Sequence, residues 1–172
     1  MKATYILIIH MLLACQVFAQ EEKKEEKKNE IAVVMGHAHV TESIDENGKR
    51  KWLVAAAWGL DYTYHINKKW GIGLHNDILL EDFTIEAEEK IERNYPISSC
   101  IIGSFMPIEK LSIIVGAGGE FASEGNYFLC RLGVEYGIEL PKNWELSPSF
   151  TYDNKINAYN TWLLGIGIGK KF

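Results

Sequence analysis

The feature that most constrains this chain is a period of two that runs almost unbroken from Ile31 to Phe172. Residues 111–121 set Leu111, Ile113, Val115, Ala117 and Phe121 on one face, against Ser112, Gly116, Gly118 and Glu120 on the other. Residues 127–140 repeat the rule, opposing Phe128, Cys130, Leu132, Val134, Tyr136, Ile138 and Leu140 to Arg131, Gly133, Glu135, Gly137 and Glu139. Residues 144–153 oppose Trp144, Leu146, Pro148, Phe150 and Tyr152 to Glu145, three hydroxyl residues and Asp153. The last segment sets Trp162, Leu164, Ile166, Ile168 and Phe172 against Thr161, Gly165, Gly167 and Gly169. Such alternation belongs to strands with two unlike faces and is incompatible with helices. Segments 52–66 and 70–80 follow it too, although Asn76 interrupts the apolar face of the second. Segments 31–41 and 94–106 also read as strands, with their faces left open, which brings the count to eight.

The connections alternate in length. Asn67-Lys68-Lys69, Pro107 to Lys110 and Pro141-Lys142-Asn143 are tight turns; between them lie the longer stretches 41–50, 82–93 and 153–159 and a brief 123–126 link. Short turns at one end and longer loops at the other describe an up-and-down antiparallel meander.

Alternation alone does not say which face is inside. Were the apolar face inside, as in a secreted soluble barrel holding an apolar ligand, the outer surface would fall largely to glycine and small residues, which solubilise poorly. The inverted arrangement is consistent: glycines and a few polar side chains fill the narrow lumen of an eight-stranded barrel, and Val, Ile, Leu and aromatics meet lipid. Trp70, Trp144 and Phe172 then lie at the short-turn rim and Trp52, Trp162 and Tyr152 at the other, forming two aromatic girdles. A tilted crossing takes about 9 to 11 residues, which 142 residues supply for eight strands and not for the sixteen of a porin. The expected fold is an all-β, eight-stranded antiparallel transmembrane barrel over 31–172, with lumen and lipid as its two environments.

The N-terminus fits this compartment. Residues 1–19 carry one positive residue, Lys2, an apolar core from Ala3 to Ala14 and a small residue at Ala19, which is the pattern of a secretory signal cleaved after Ala19. Leu12-Leu13-Ala14-Cys15 offers a rival reading in which Cys15 becomes a lipidated terminus. Residues 20–30 include EEKKEEKKNE, which has no apolar side chain to bury and reads as a solvated periplasmic tether. A formal charge of −5, with no basic arm, excludes a broad nucleic-acid surface. Cys100 and Cys130 fall on strands separated by a third, too far apart to bridge, and are expected as free thiols.

NKKWGIG, PKNWELSPSF and the ending NTWLLGIGIGKKF, together with the signal peptide, make residues 31–172 resemble the small eight-stranded outer-membrane barrels of the OmpA and OmpX type. The resemblance implies that Phe172, on the apolar face of the last strand, is the signal read by the barrel assembly machinery. Lys170 departs from the pattern, standing where an apolar residue is common, though so near the rim it can snorkel to the headgroups. The resemblance also implies a monomer surrounded by outer-membrane lipids.

The lumen-facing positions form a polar network of Asp61, His75, Asp77, Glu120, Arg131, Glu135 and Glu145, joined by His65. A buried arginine needs carboxylates, and Glu120 and Glu135, on its own or the adjacent strand, are the expected partners of Arg131; the network then plugs the bore. The spacing of His37, His39, His65 and His75 matches no metal signature, and no cofactor or metal is expected. Ser98, Ser99 and His65 are the nearest candidates for the lipid A acyl chemistry known in such barrels, but they carry no recognisable motif. A structural or surface-interaction role is therefore expected, with a lipid-modifying enzyme as the alternative. Glu42, Asp45 and Glu46 in the first loop, and Glu81, Asp82, Glu86, Glu88 and Glu89 around the second, make the outer end acidic. That end is suited to a divalent cation or a cationic surface ligand.

Overall fold

The alternating segments become antiparallel strands in a computed structural model, which describes residues 27–45, 47–86 and 90–172. In chain order they are β1 (Asn29–Val40), β2 (Ser43–Ile44), β3 (Leu53–His65), β4 (Trp70–Leu79), β5 (Asp82–Glu86) and β6 (Lys90–Asn94), then β7 (Ile97–Ile108), β8 (Leu111–Phe121), β9 (Asn126–Tyr136), β10 (Ile138–Leu140), β11 (Trp144–Lys155) and β12 (Asn160–Lys171). Each barrel strand pairs with the next in sequence, β1 pairs with β12, and β9 pairs with both β8 and β11, so the sheet closes on itself with no free edge. Since β10 continues β9 past Gly137, the wall has eight staves. The signal peptide and residues 20–26 of the charged tether lie outside the described residues. Its last two residues, Asn29 and Glu30, belong to β1, two positions before the expected boundary.

Burial follows the period. Ile101, Val115 and Ile166 are 64%, 59% and 53% exposed, whereas Ile102 and Ile114, one residue away from the first two, are buried. The two strands whose faces the sequence left open resolve in the same way. β1 points Ala32, Val34, Ala38 and Val40 inward and Ile31, Val33 and Met35 outward; β7 points Ser98, Cys100, Ile102 and Ser104 inward. An apolar band around the outside of a closed sheet is stable in lipid and not in water, which removes the soluble alternative. Gly133 illustrates the narrowness of the bore: a Cβ there would sit 2.7 Å from Thr151 Cγ2 and 2.9 Å from Ile114 Cγ1.

Both girdles form. At the long-loop end the Trp52 and Trp162 rings meet at 5.7 Å, and at the short-turn end Trp70 meets Phe105 at 4.6 Å. The turn before Trp70 is capped by Asn67 Oδ1, which accepts from the amides of Lys69 and Trp70 at 2.8 and 3.0 Å. Lys170 lays its ammonium over the Trp144 ring at 5.2 Å and donates to the Lys142 carbonyl at that rim. Phe172 closes the β1–β12 seam through reciprocal backbone bonds with Asn29, its ring exposed. Asn76 is tolerated on the outer face because its amide donates to the Leu60 carbonyl and accepts from Ser99 Oγ.

The second connection corrects the sequence reading of a plain loop. Strands β5 and β6 pair antiparallel, and β2 adds a third strand to them. Phe83 and Ile85 alternate inward and pack on Val40, Ala57, Leu79, Tyr159 and Leu163, a small apolar core under the hairpin at the long-loop end. Here the period of two continues beyond the membrane wall.

Candidate functional site

The register of the barrel sorts its inward polar side chains into layers. On β9 and β11, Arg131 stands opposite Asp153. Its Nε donates to Asp153 Oδ1 at 2.7 Å and its Nη2 to Oδ2 at 2.8 Å, a bidentate pair. Arg131 Nη1 lies 2.7 Å from Asp77 Oδ2, reached across the bore from β4, as an ion pair without a hydrogen bond to that oxygen. Asp77 reaches it past Gly59, its cross-strand neighbour, where a Cβ would lie 2.8 Å from Asp77 Oδ1.

The layer above is centred on Glu120, fully buried on β8. Arg93, from β6 of the hairpin, donates to Glu120 Oε1 from Nε at 3.1 Å and from Nη2 at 2.6 Å, and its Nη1 donates to the carbonyls of Glu124 and Gly125. Tyr159 Oη donates to Glu120 Oε2 at 2.7 Å, and Lys155 Nζ lies 3.6 Å from the same oxygen. Burial and the Glu120 carboxylate hold the Tyr159 phenol well above its ordinary pKa, so it remains a proton donor. Arg131 therefore does not take Glu120 and Glu135 as partners. Asp77 and Asp153 satisfy it, and Glu120 is satisfied by Arg93, Lys155 and Tyr159, three residues from segments the sequence reading assigned to loops.

Below Arg131 the lumen opens. Asp61 and His75 are directly opposed on β3 and β4, with His75 Nδ1 3.5 Å from Asp61 Oδ2, and the Asn76 amide donates to Asp61 Oδ1 at 3.3 Å. Glu135 joins them from β9, so that one donor atom from each of the three lies within 4.8 Å of the others. Nearer the short-turn rim His65 Nε2 meets Glu30 Oε2 at 2.9 Å, and Lys171 Nζ meets Glu145 Oε2 at 2.5 Å. All seven residues line one cavity of about 960 Å³ that opens at that end.

The other candidates separate. His37 and His39 lie on the outer face of β1, 2.9 Å apart through Nδ1 and Nε2, on the opposite side of the wall from His75. Ser98 points inward, Ser99 bonds Asn76 on the outer face, and His65 is engaged by Glu30; among the described residues no serine hydroxyl is hydrogen-bonded to a histidine. In the first loop Asp45 spends its carboxylate on the amides of Asn47 and Lys49. Glu46, Glu88 and Glu89 lie outside the described residues. Among the described residues the loop carboxylates form no group of three with converging oxygens.

No family model and no curated protein matches the sequence. Solved structures do. Ail, the attachment invasion locus protein of Yersinia pestis, superposes with a TM-score of 0.51 at 18% identity, covering 84% of this chain and 99% of its own. Neisserial surface protein A, NspA, superposes with a TM-score of 0.51 at 15% identity, covering 84% and 97%. At these identities the likeness is one of fold. The closed sheet, the outward apolar band and the girdles have the architecture of the small eight-stranded outer-membrane barrels.

Proposed function

We propose that this protein is a non-catalytic, non-conducting barrel of the outer membrane that acts through the surface at its long-loop end. The observation that carries the reading is the three-stranded β2–β5–β6 sheet, fastened to the barrel by the buried Arg93–Glu120 pair and the apolar core beneath it. A loop sheet held this way is ordered before any partner arrives, which lowers the entropic cost of binding. The same contacts, with the Arg131 layer beneath them, set paired charges across the bore, which supports a plug over a conduit. In this reading the signal peptide is removed after Ala19, the machinery that inserts barrels recognises Phe172, both termini are periplasmic and the monomer sits among outer-membrane lipids. The exposed Glu81 and Asp82 beside the hairpin favour a cationic ligand, or a divalent cation bridging to lipopolysaccharide phosphates.

Fractionation with heat-shift electrophoresis, followed by planar-bilayer recording, tests this. A detergent-resistant, heat-shifted band in the outer membrane and no unitary conductance are expected; a stable open pore would overturn the plugged reading. Mass spectrometry of lipid A from a deletion strain should show an unchanged acyl pattern, and an altered one would restore the enzyme.

A further inference from the structure

Six carboxylates line the cavity; Glu109 and Glu139 stand near its mouth, and of the four others two are provided for, Glu30 by His65 and Glu145 by Lys171. The other two, Asp61 and Glu135, converge on His75 from opposite walls. Lysines ring the mouth of the cavity, Lys110 and Lys142 among them. Among the described residues, however, no lysine or arginine is within ion-pair distance of Asp61 or Glu135. Two carboxylates held this close inside a low-dielectric wall repel unless one of them takes up a proton or a cation sits between them.

We propose that Asp61, His75 and Glu135 bind a divalent transition-metal ion of the zinc class at the inner end of the cavity. An imidazole with two carboxylates is a three-ligand set that leaves one position for water, which the cavity supplies. Calcium and magnesium are hard cations that take oxygen ligands, and an imidazole nitrogen in the set favours the zinc class over either. Tetrahedral bonds of about 2.0–2.2 Å set neighbouring donors about 3.4 Å apart. Asp61 and His75, at 3.5 Å, already have that spacing. Glu135 is half-buried, and among the described residues nothing hydrogen-bonds its carboxylate, so no such bond has to break for it to close on the other two donors.

The test uses the refolded mature protein in detergent, stripped with chelator and titrated by calorimetry with Zn²⁺ alone and with Ca²⁺ alone. Co²⁺ absorption reports the coordination. The wild type should bind a single Zn²⁺ equivalent and no Ca²⁺ at this site, and give the intense visible bands of four-coordinate Co²⁺. His75→Ala and Glu135→Gln should lose that equivalent while keeping the heat-shifted band. The outward pair is the internal control, and His37→Ala with His39→Ala should bind as the wild type does. If His75→Ala does not fold, Glu135→Gln, on the water-lined side, carries the comparison. No Zn²⁺ bound by the wild type, equal binding of Ca²⁺, binding retained in Glu135→Gln, or binding lost with the outward histidines would each overturn the proposal.

Discussion

Above the Asp61–His75 pair the lumen holds Arg93, Arg131 and Lys155 against Asp77, Glu120 and Asp153, three cations and three anions that are all buried. Below it, Glu30, Asp61, Glu135 and Glu145 stand with Lys171 and two histidines around a cavity of about 960 Å³ whose mouth carries further lysines and carboxylates. One wall, with one inward parity, thus carries two environments. Where water is excluded, each charge needs its partner within the protein; where water enters, unmatched charge can persist, and a site can form.

The largest expected effect lies in the dry half. Arg131→Met would leave Asp77 and Asp153 buried opposite each other without their shared cation, at a cost of about 3–5 kcal/mol. Urea titration of the detergent-folded protein, followed by tryptophan fluorescence, measures it. A loss under about 1 kcal/mol would mean that water reaches those carboxylates and that the two halves do not differ. Arg93→Met should cost less, about 1–3 kcal/mol, because Glu120 keeps Tyr159 and Lys155 as partners. Its second signature is local: limited proteolysis should cut within 82–94 while the barrel still migrates as the folded form. A hairpin that stays resistant would mean that the Phe83 and Ile85 packing alone anchors it.

How much of this could be read from the sequence follows from the range of each signal. Strand number and the inward parity of six of the eight strands were legible because they depend only on a local period of two, which one wall imposes on Val115 and Ile166 alike; segments 31–41 and 94–106 kept their faces open until the sheet closed. The inward set Asp61, His75, Asp77, Glu120, Arg131, Glu135 and Glu145 was legible for the same reason. Their pairing was not, because it depends on register and on what crosses the bore. Asp153 could have been found as the partner of Arg131 from β9–β11 register, but Asp77 reaches it from the opposite wall. Arg93 sits in a stretch of charged residues where Phe83, Ile85 and Ile91 give too short an alternation to announce a hairpin, so nothing local marked it as buried. Glu30 was hidden by its neighbours: after EEKKEEKK it reads as one more solvated charge, and only closure of β1 on β12 turns it inward.

The smallest effect sharpens the contrast between the halves. Glu145 and Lys171 approach to 2.5 Å, closer than Arg131 comes to Asp153, so distance alone would rank the rim pair as the stronger. Environment reverses that order. Both rim groups open onto the cavity, water can replace either partner, and the pair behaves like a solvated ion pair of about 0–1 kcal/mol. Glu145→Gln should therefore shift the urea midpoint barely at all, and a double-mutant cycle with Lys171→Met should return a coupling within that range. The same cycle on Arg131→Met and Asp153→Asn should return several times more, because no solvent is present to take over the bidentate bonds. Equal couplings in the two cycles would mean that the lower half is as dry as the upper, and the unmatched carboxylates of Asp61 and Glu135 would then need another explanation.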